Sequence, residues 1–154
     1  MHFARIAAAF ITGALASAAI PQAGPSPEEL GMAARSPAYR AAADRFIAAA
    51  VAGDAATLER MLSPAIVARA GKETLVKVLS GQVIPFFAEH QETGRSVTTT
   101  NTTDGSGNQG FAYYMYSVNR AGQQKPFVIY VVDEGGQKAV ANILVDQFVQ
   151  GRHP

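Results

Sequence analysis

Between residues 36 and 90 apolar side chains recur every three or four positions, and beyond residue 109 every second position. The first spacing puts one stripe on a helix; the second puts alternate residues on one face of a strand. Ser36 is placed to cap a helix and Pro37 to open it, with a stripe of Tyr39, Ala43, Phe46, Ile47, Ala50 and Val51 and an end at Gly53. Asp54 then caps a second helix carrying Leu58, Met61 and Leu62. Ser63-Pro64 starts a short third turn through Ile66 and Val67, closed by Gly71. A longer helix is expected from Lys72 to His90, carrying Leu75, Val76, Val78, Leu79, Val83, Ile84, Phe86 and Phe87. Gly81 and Pro85 interrupt it, and the donor that Pro85 lacks predicts a kink or restart there.

After Gly94 the pattern changes. SVTTTNTT is β-branched and polar, as an exposed edge strand would be, and DGSGNQG is a turn-rich loop. Three strand-like segments follow at 110–120, 125–133 and 137–149. Gly135-Gly136 suits a type I′ hairpin, whose two central residues need positive φ. It pairs Asp133 with Lys138, and continuing the ladder sets Val131 against Val140, Ile129 against Asn142 and Phe127 against Leu144. A two-residue loop at Gly122-Gln123 pairs Arg120 with Lys125, but an odd loop length exchanges the two faces, since a slip of one residue reverses every side chain.

With the even loop, one face holds Phe111, Tyr113, Met115, Val128, Tyr130, Val132, Ala139, Ala141, Ile143 and Val145, and is expected to meet the helices. The other holds Tyr114, Tyr116, Val118, Phe127, Ile129, Val131, Val140, Asn142, Leu144, Asp146 and Phe148. A contiguous apolar patch of that kind marks an interface. The expectation is a homodimer through Tyr114, Tyr116, Phe127, Ile129 and Leu144; cover by a helix or by the N-terminal leader is the alternative.

Helices first and consecutive strands after them indicate an α+β fold, with helices on one side of an antiparallel sheet. At 48% apolar and 16% charged residues, the 154-residue chain can bury a core, and it shows no second composition shift, so one domain at 36–149 is expected. Ahead of it, Arg5, an apolar run from Ile6 to Leu15, and Ala16 and Ala18 at A-x-A spacing read as an export signal over 1–18. A leader or linker follows over 19–35, with a helical turn at SPEEL, and 150–154 is a tail. The expected location is periplasmic or secreted, with no membrane span after cleavage. The chain has no cysteine, so neither a disulfide nor a lipidated cysteine is available. Cleavage would remove Arg5 from the 13 basic residues and balance the 12 acidic ones; with no basic run, nucleic-acid binding is disfavoured.

The helix ending AAAVAGD (48–54), the helix KETLVKVLSG, and the segments FAYYMYSVNR, PFVIYVVDEGG and KAVANILVDQFV occur in an order that resembles the nuclear transport factor 2-like superfamily, or cystatin-like cone fold. The resemblance covers about residues 36–149, and several small families of exported bacterial proteins share the outline. It implies N-terminal helices packed in the hollow of a curved, mainly antiparallel sheet of about four strands. It also brings in homodimers through sheet faces, and isomerases, dehydratases and hydrolases that act on small apolar molecules inside the cone.

Candidate chemistry is sparse. Tyr113, Met115 and Tyr130 would line a hollow under the 72–90 helix, with His90 at its rim, and would take a small apolar ligand or a protein partner. No catalytic residue and no cofactor are expected. The enzymatic alternative is an isomerase or hydrolase with Asp146 as acid or base, which requires the faces to be reversed. Zinc would need several nitrogen or sulfur ligands that the chain does not assemble, and no metal site is expected. There is no G-x-S-x-G elbow, and GSGNQG has neither the lysine nor the following helix of a phosphate loop.

Overall fold

The computed structural model describes residues 27–90, 92–93 and 98–146. The export signal, the first part of the leader, Phe148 and the tail lie outside the described residues. Helix α1 (Pro27–Val51) runs unbroken for 25 residues with Pro37 inside it, so the helix starts earlier than Ser36-Pro37 and takes in residues 27–35 of the expected linker. Proline's fixed φ is helical, and what it removes is its own donor to the carbonyl four residues back. The C-terminus closes as the sequence predicts: Gly53 takes φ 69°, its N–H reaches Ala50 O at 3.1 Å and Asp54 N reaches Ala49 O at 2.9 Å. Tyr39, Ala42, Ala43, Phe46, Ile47, Ala49 and Ala50 are all buried, and the small alanines let α1 lie against β3, β4 and β5.

Asp54 caps α2 (Ala55–Met61), accepting from Thr57 N at 3.0 Å and from the Thr57 hydroxyl at 2.6 Å. Ser63 and Pro64 open α3 (Pro64–Ala70), and Gly71, at φ 82°, separates it from α4 (Lys72–Val78). The long helix expected to restart near Pro85 does so by widening. Residues Leu79–Val83 form a π turn in which Ile84 N bonds Leu79 O, five positions back, and α5 (Ile84–Glu89) follows. The wider turn gives Pro85 a place near a helix start, where a missing donor costs least.

The strands β1 (Glu92–Thr93), β2 (Thr98–Thr103), β3 (Gln109–Val118), β4 (Gln124–Glu134) and β5 (Gln137–Val145) form one antiparallel sheet. Its order is β1–β3–β4–β5, with β2 beside β1 on the same edge of β3. The helices pack on it, which makes the α+β class expected from the element order.

The Gly135-Gly136 hairpin forms in the expected register, pairing Asp133 with Lys138 and Val131 with Val140. Two odd steps then alter the faces. The β3–β4 loop spans residues 119–123, an odd length, and pairs Ser117 rather than Arg120 with Lys125. Asn119 organises it: its side-chain carbonyl accepts from Ala121 N at 3.0 Å and Gln123 N at 2.8 Å, and Gly122 takes φ 77°. Phe127, Ile129 and Val131 therefore join Phe111, Tyr113 and Met115 on the helix-facing side, opposite to the expectation for β4. The second step is a bulge at Ala141, so Asn142 pairs with Tyr130 rather than Ile129, and Val128 rather than Phe127 faces Leu144. Val140 faces the helices, contrary to expectation, and the bulge restores the expected phase for Ile143 and Val145.

Phe46, Phe87, Tyr113, Met115, Phe127, Ile129, Val131 and Val140 form the centre of the core, each 2% exposed or less. Phe87 meets Phe127 edge-on at 5.1 Å, and Tyr39 meets Phe111 at 5.0 Å. Phe127 and Ile129 are therefore not on a surface with Tyr114, Tyr116 and Leu144, as the expected interface had them.

Candidate functional site

Of the four residues expected to share a hollow, Tyr113, Met115 and His90 lie on the helix-facing side and Tyr130 does not. Tyr113 and Met115 face the helices inside the packed core. The Tyr113 hydroxyl donates to Ser36 O at 3.3 Å, the Arg40 guanidinium lies 5.8 Å from its ring centre, and burial raises the phenol above its ordinary value. His90 is not at a rim: it is 2% exposed and its ring stacks on Phe86 at 5.0 Å. Its Nδ1 lies 3.1 Å from Phe86 O, a carbonyl that can only accept, so Nδ1 carries a proton, and the buried Nε2 has no hydrogen-bond partner among the described residues. Ser117 donates its hydroxyl proton to His90 O, which fixes the end of α5 to β3. Tyr130 points to the opposite face of the sheet, in the row of Ala112 and Asn142.

That opposite face carries the better recess. A cleft of about 360 Å³ is lined by Ile66 and Arg69 of α3, by Thr102, Thr103, Asp104 and Gly105 at the end of β2, and by Tyr130, Val132, Ala141 and Asn142 of β4 and β5. Its walls are placed by local sequence. Ser63 N bonds Val140 O at 2.8 Å, laying the chain along the β5 edge just before α3. Glu134, on the same face as Val132, then accepts from the Ser63 hydroxyl and, at 3.0 Å, from Ala65 N, which fixes the first turn of α3 to the end of β4.

On the other wall Asp104 turns the chain, accepting from Ser106 N at 2.8 Å, Asn108 N at 2.9 Å and Asn108 Nδ2 at 3.0 Å. Partial burial pushes its carboxyl up, but these bonds and the Arg69 charge together outweigh that and hold it below the usual 3.8. The Arg69 guanidinium lies against Gly105, where a Cβ would come within 2.3 Å of Nη1, so only glycine fits without moving the arginine. The Ala141 bulge brings that residue into the lining, and Asn142 beside it bonds the following Ile143 N through Oδ1 at 2.9 Å. Burial, and next the Tyr114 phenol, raise Tyr130 above its ordinary value.

A second groove, of about 380 Å³, runs between α2, α3 and α4, lined by Ala56, Leu62, Val67, Leu75 and Val76 with a Glu59–Lys72 pair at 3.3 Å. Among the described residues its lining has no aromatic and no amide. Asp146, the candidate acid or base, is half-exposed at φ 57° and paired with Lys125 at 2.8 Å; the bond to Asp146 is the main cause that raises the lysine. Asp133 pairs with Lys138 at 2.5 Å, and that ammonium sits 4.9 Å from the Tyr39 ring centre. Among the described residues no three His, Cys, Asp or Glu gather as a metal site would require, and no helix is long and apolar enough to cross a membrane.

Of the cleft residues, the sequence singled out Tyr130 as a ligand contact. Asp104 was legible as a turn residue and Asn142 as an amide that would join Asp146, Tyr114 and Tyr116 were the faces reversed, while Arg69 carried no local signal. No model of a known protein family, no curated protein and no solved structure matches this chain.

Proposed function

We propose that this chain is an exported, non-catalytic binding module of the nuclear transport factor 2-like superfamily, and that it takes a small molecule in the cleft on the outer sheet face. One observation carries the reading: the recess of about 360 Å³ combines apolar Ile66, Val132 and Ala141 with Tyr130, Asn142 and Arg69. Ligand sites are recesses of about 300–1,000 Å³, mostly apolar, with a few polar groups that fix orientation. The polar share of this lining asks for a ligand with hydrogen-bonding groups, where the sequence suggested an apolar one.

Support for a non-catalytic role comes from the carboxylates. Asp133 and Asp146 are in ion pairs, while Asp104 and Glu134 hold backbone and side-chain donors. A general base must instead be within reach of a substrate proton. Export rests on the N-terminal pattern of Arg5, apolar run and A-x-A spacing.

The test is a small-molecule library screened by ligand-observed NMR against the wild type and two plugged variants. Thr103→Trp blocks the outer cleft and Ala56→Trp blocks the helical groove. Hits lost in the first variant and kept in the second support the reading; hits indifferent to Thr103→Trp overturn it.

A homodimer is a second reading, and a specific feature favours it. Tyr114, Val128 and Leu144 pair in one row across β3, β4 and β5, with Tyr116 beside them, and Tyr114, Tyr116 and Leu144 stay half-exposed. That patch lies towards the Lys125 end of β4, away from the Val132 end that borders the cleft, so the two sites are compatible.

A further inference from the structure

We infer that the outer cleft takes a neutral, polyhydroxylated molecule, a mono- or disaccharide. The inference rests on the cleft being the binding site and concerns what enters it. The first argument is charge. Among the described residues the lining holds one cation, Arg69, and one anion, Asp104, and the arginine acts on the aspartate's carboxyl. Their formal charges cancel. An anionic ligand would gain from Arg69 but meet Asp104, and a cation would meet the reverse; a neutral molecule is indifferent to both.

The second argument is the kind of hydrogen bond on offer. Asn142 spends its carbonyl oxygen on Ile143 N, which leaves the amide NH₂ to donate. Thr102 and Thr103 bring hydroxyls that donate and accept, and Tyr130 brings a phenol oxygen that bonds the Tyr114 phenol and still has a lone pair to accept with. The Arg69 fork adds donors beside Gly105. A lining of mixed donors and acceptors matches hydroxyl groups, each of which also does both, better than it matches a carboxylate, which only accepts, or an ammonium, which only donates.

The third argument is the apolar part. Ile66 and the half-buried Tyr130 ring offer apolar and aromatic surface to the C–H face of a pyranose, with the closed-in Val132 and Ala141 forming the floor behind them.

The test uses the full chain and saturation-transfer NMR with glucose, galactose, N-acetylglucosamine, maltose and lactose as probes, and glucuronate and benzoate as charged controls. Transfer to at least one neutral sugar is expected, weakened about fivefold or more in Asn142→Ala and in Arg69→Ala, as loss of one or two hydrogen bonds requires. Both side chains are exposed, so these variants fold, and Ala56→Trp should leave the signal unchanged. Silence from every neutral sugar overturns the inference. If benzoate or glucuronate then binds and Thr103→Trp removes it, the ligand class is wrong and the cleft stands. If no probe responds and no library hit is sensitive to Thr103→Trp, the cleft reading falls as well.

Discussion

Ser63 and Glu134 are joined by a hydrogen bond although 71 positions separate them, and the same carboxylate takes Ala65 N at 3.0 Å. A helix of seven residues has little stability of its own, so this contact, together with Ser63 N on Val140 O, determines where α3 sits. Glu134→Ala should cost about 2 kcal/mol through two lost bonds to a charged group. A urea melt measures that loss, and amide exchange should show faster opening in α3 than in α1. Unchanged exchange in α3 would mean that Glu134 does not hold it.

Gly110 needs to be glycine because of its neighbour and not its φ. A Cβ there would come within 1.9 Å of Val131 O, on the paired strand. Backbone cannot swing aside as a side-chain tip does, so Gly110→Ala should destabilise by about 3 kcal/mol. Thermal or urea unfolding checks this, and a loss near zero would contradict the close approach of β3 and β4.

Face assignment on β4 can be read from a pair of truncations. Phe127→Ala removes a fully buried ring and should cost about 3–5 kcal/mol, whereas Leu144→Ala, half-exposed on the other side, should cost about 1 kcal/mol or less. Equal costs would restore the even-loop register.

Acid should loosen the loop at Asp104. Its folded-state value lies below the ordinary 3.8, so the folded chain binds fewer protons than the unfolded one between those two values. The stabilisation is complete above 3.8 and disappears as pH falls through the folded value. Urea melts from about pH 6 to about pH 2 should show the wild type losing its advantage over Asp104→Asn only at the acidic end. A constant difference across that range would exclude the carboxylate as the cause.

Tyr116→Asp tests the second copy. A charge set in the half-exposed Tyr114–Tyr116–Leu144 patch should turn a dimer into a monomer on light scattering, with the fold intact by circular dichroism. A variant that stays dimeric would place the interface elsewhere.

Several local signals were legible because the responsible residues are neighbours in the chain, although Ser36-Pro37, read as a helix start, lies inside α1. Gly53 and Gly71 ended helices, Asp54 and Ser63 capped them, and Gly135-Gly136 turned the hairpin with the expected partners on each side. The helix stripes were also correct, because a helix buries whichever face is apolar. The faces of the sheet were not legible, because β4 is apolar on both sides: Phe127, Ile129 and Val131 are no more suited to the core than Val128, Tyr130 and Val132. With no polar face to choose between them, phase depended on whether Asn119 closes an even or an odd loop, and on where β5 bulges.

The amino-acid pattern by itself determined which parts of the chain are helical and which are extended, the hairpin at 135–136 and the α+β class, since each follows from residues close together along the chain; it did not determine that α1 starts at Pro27. Only the tertiary structure decided that Tyr113, Met115 and His90 lie in the closed core while Tyr130 lines a cleft with Arg69 and Asn142. The reason is geometric: a single added residue in a loop or a bulge reverses a strand's two faces, and it leaves hydrophobicity along the sequence unaltered.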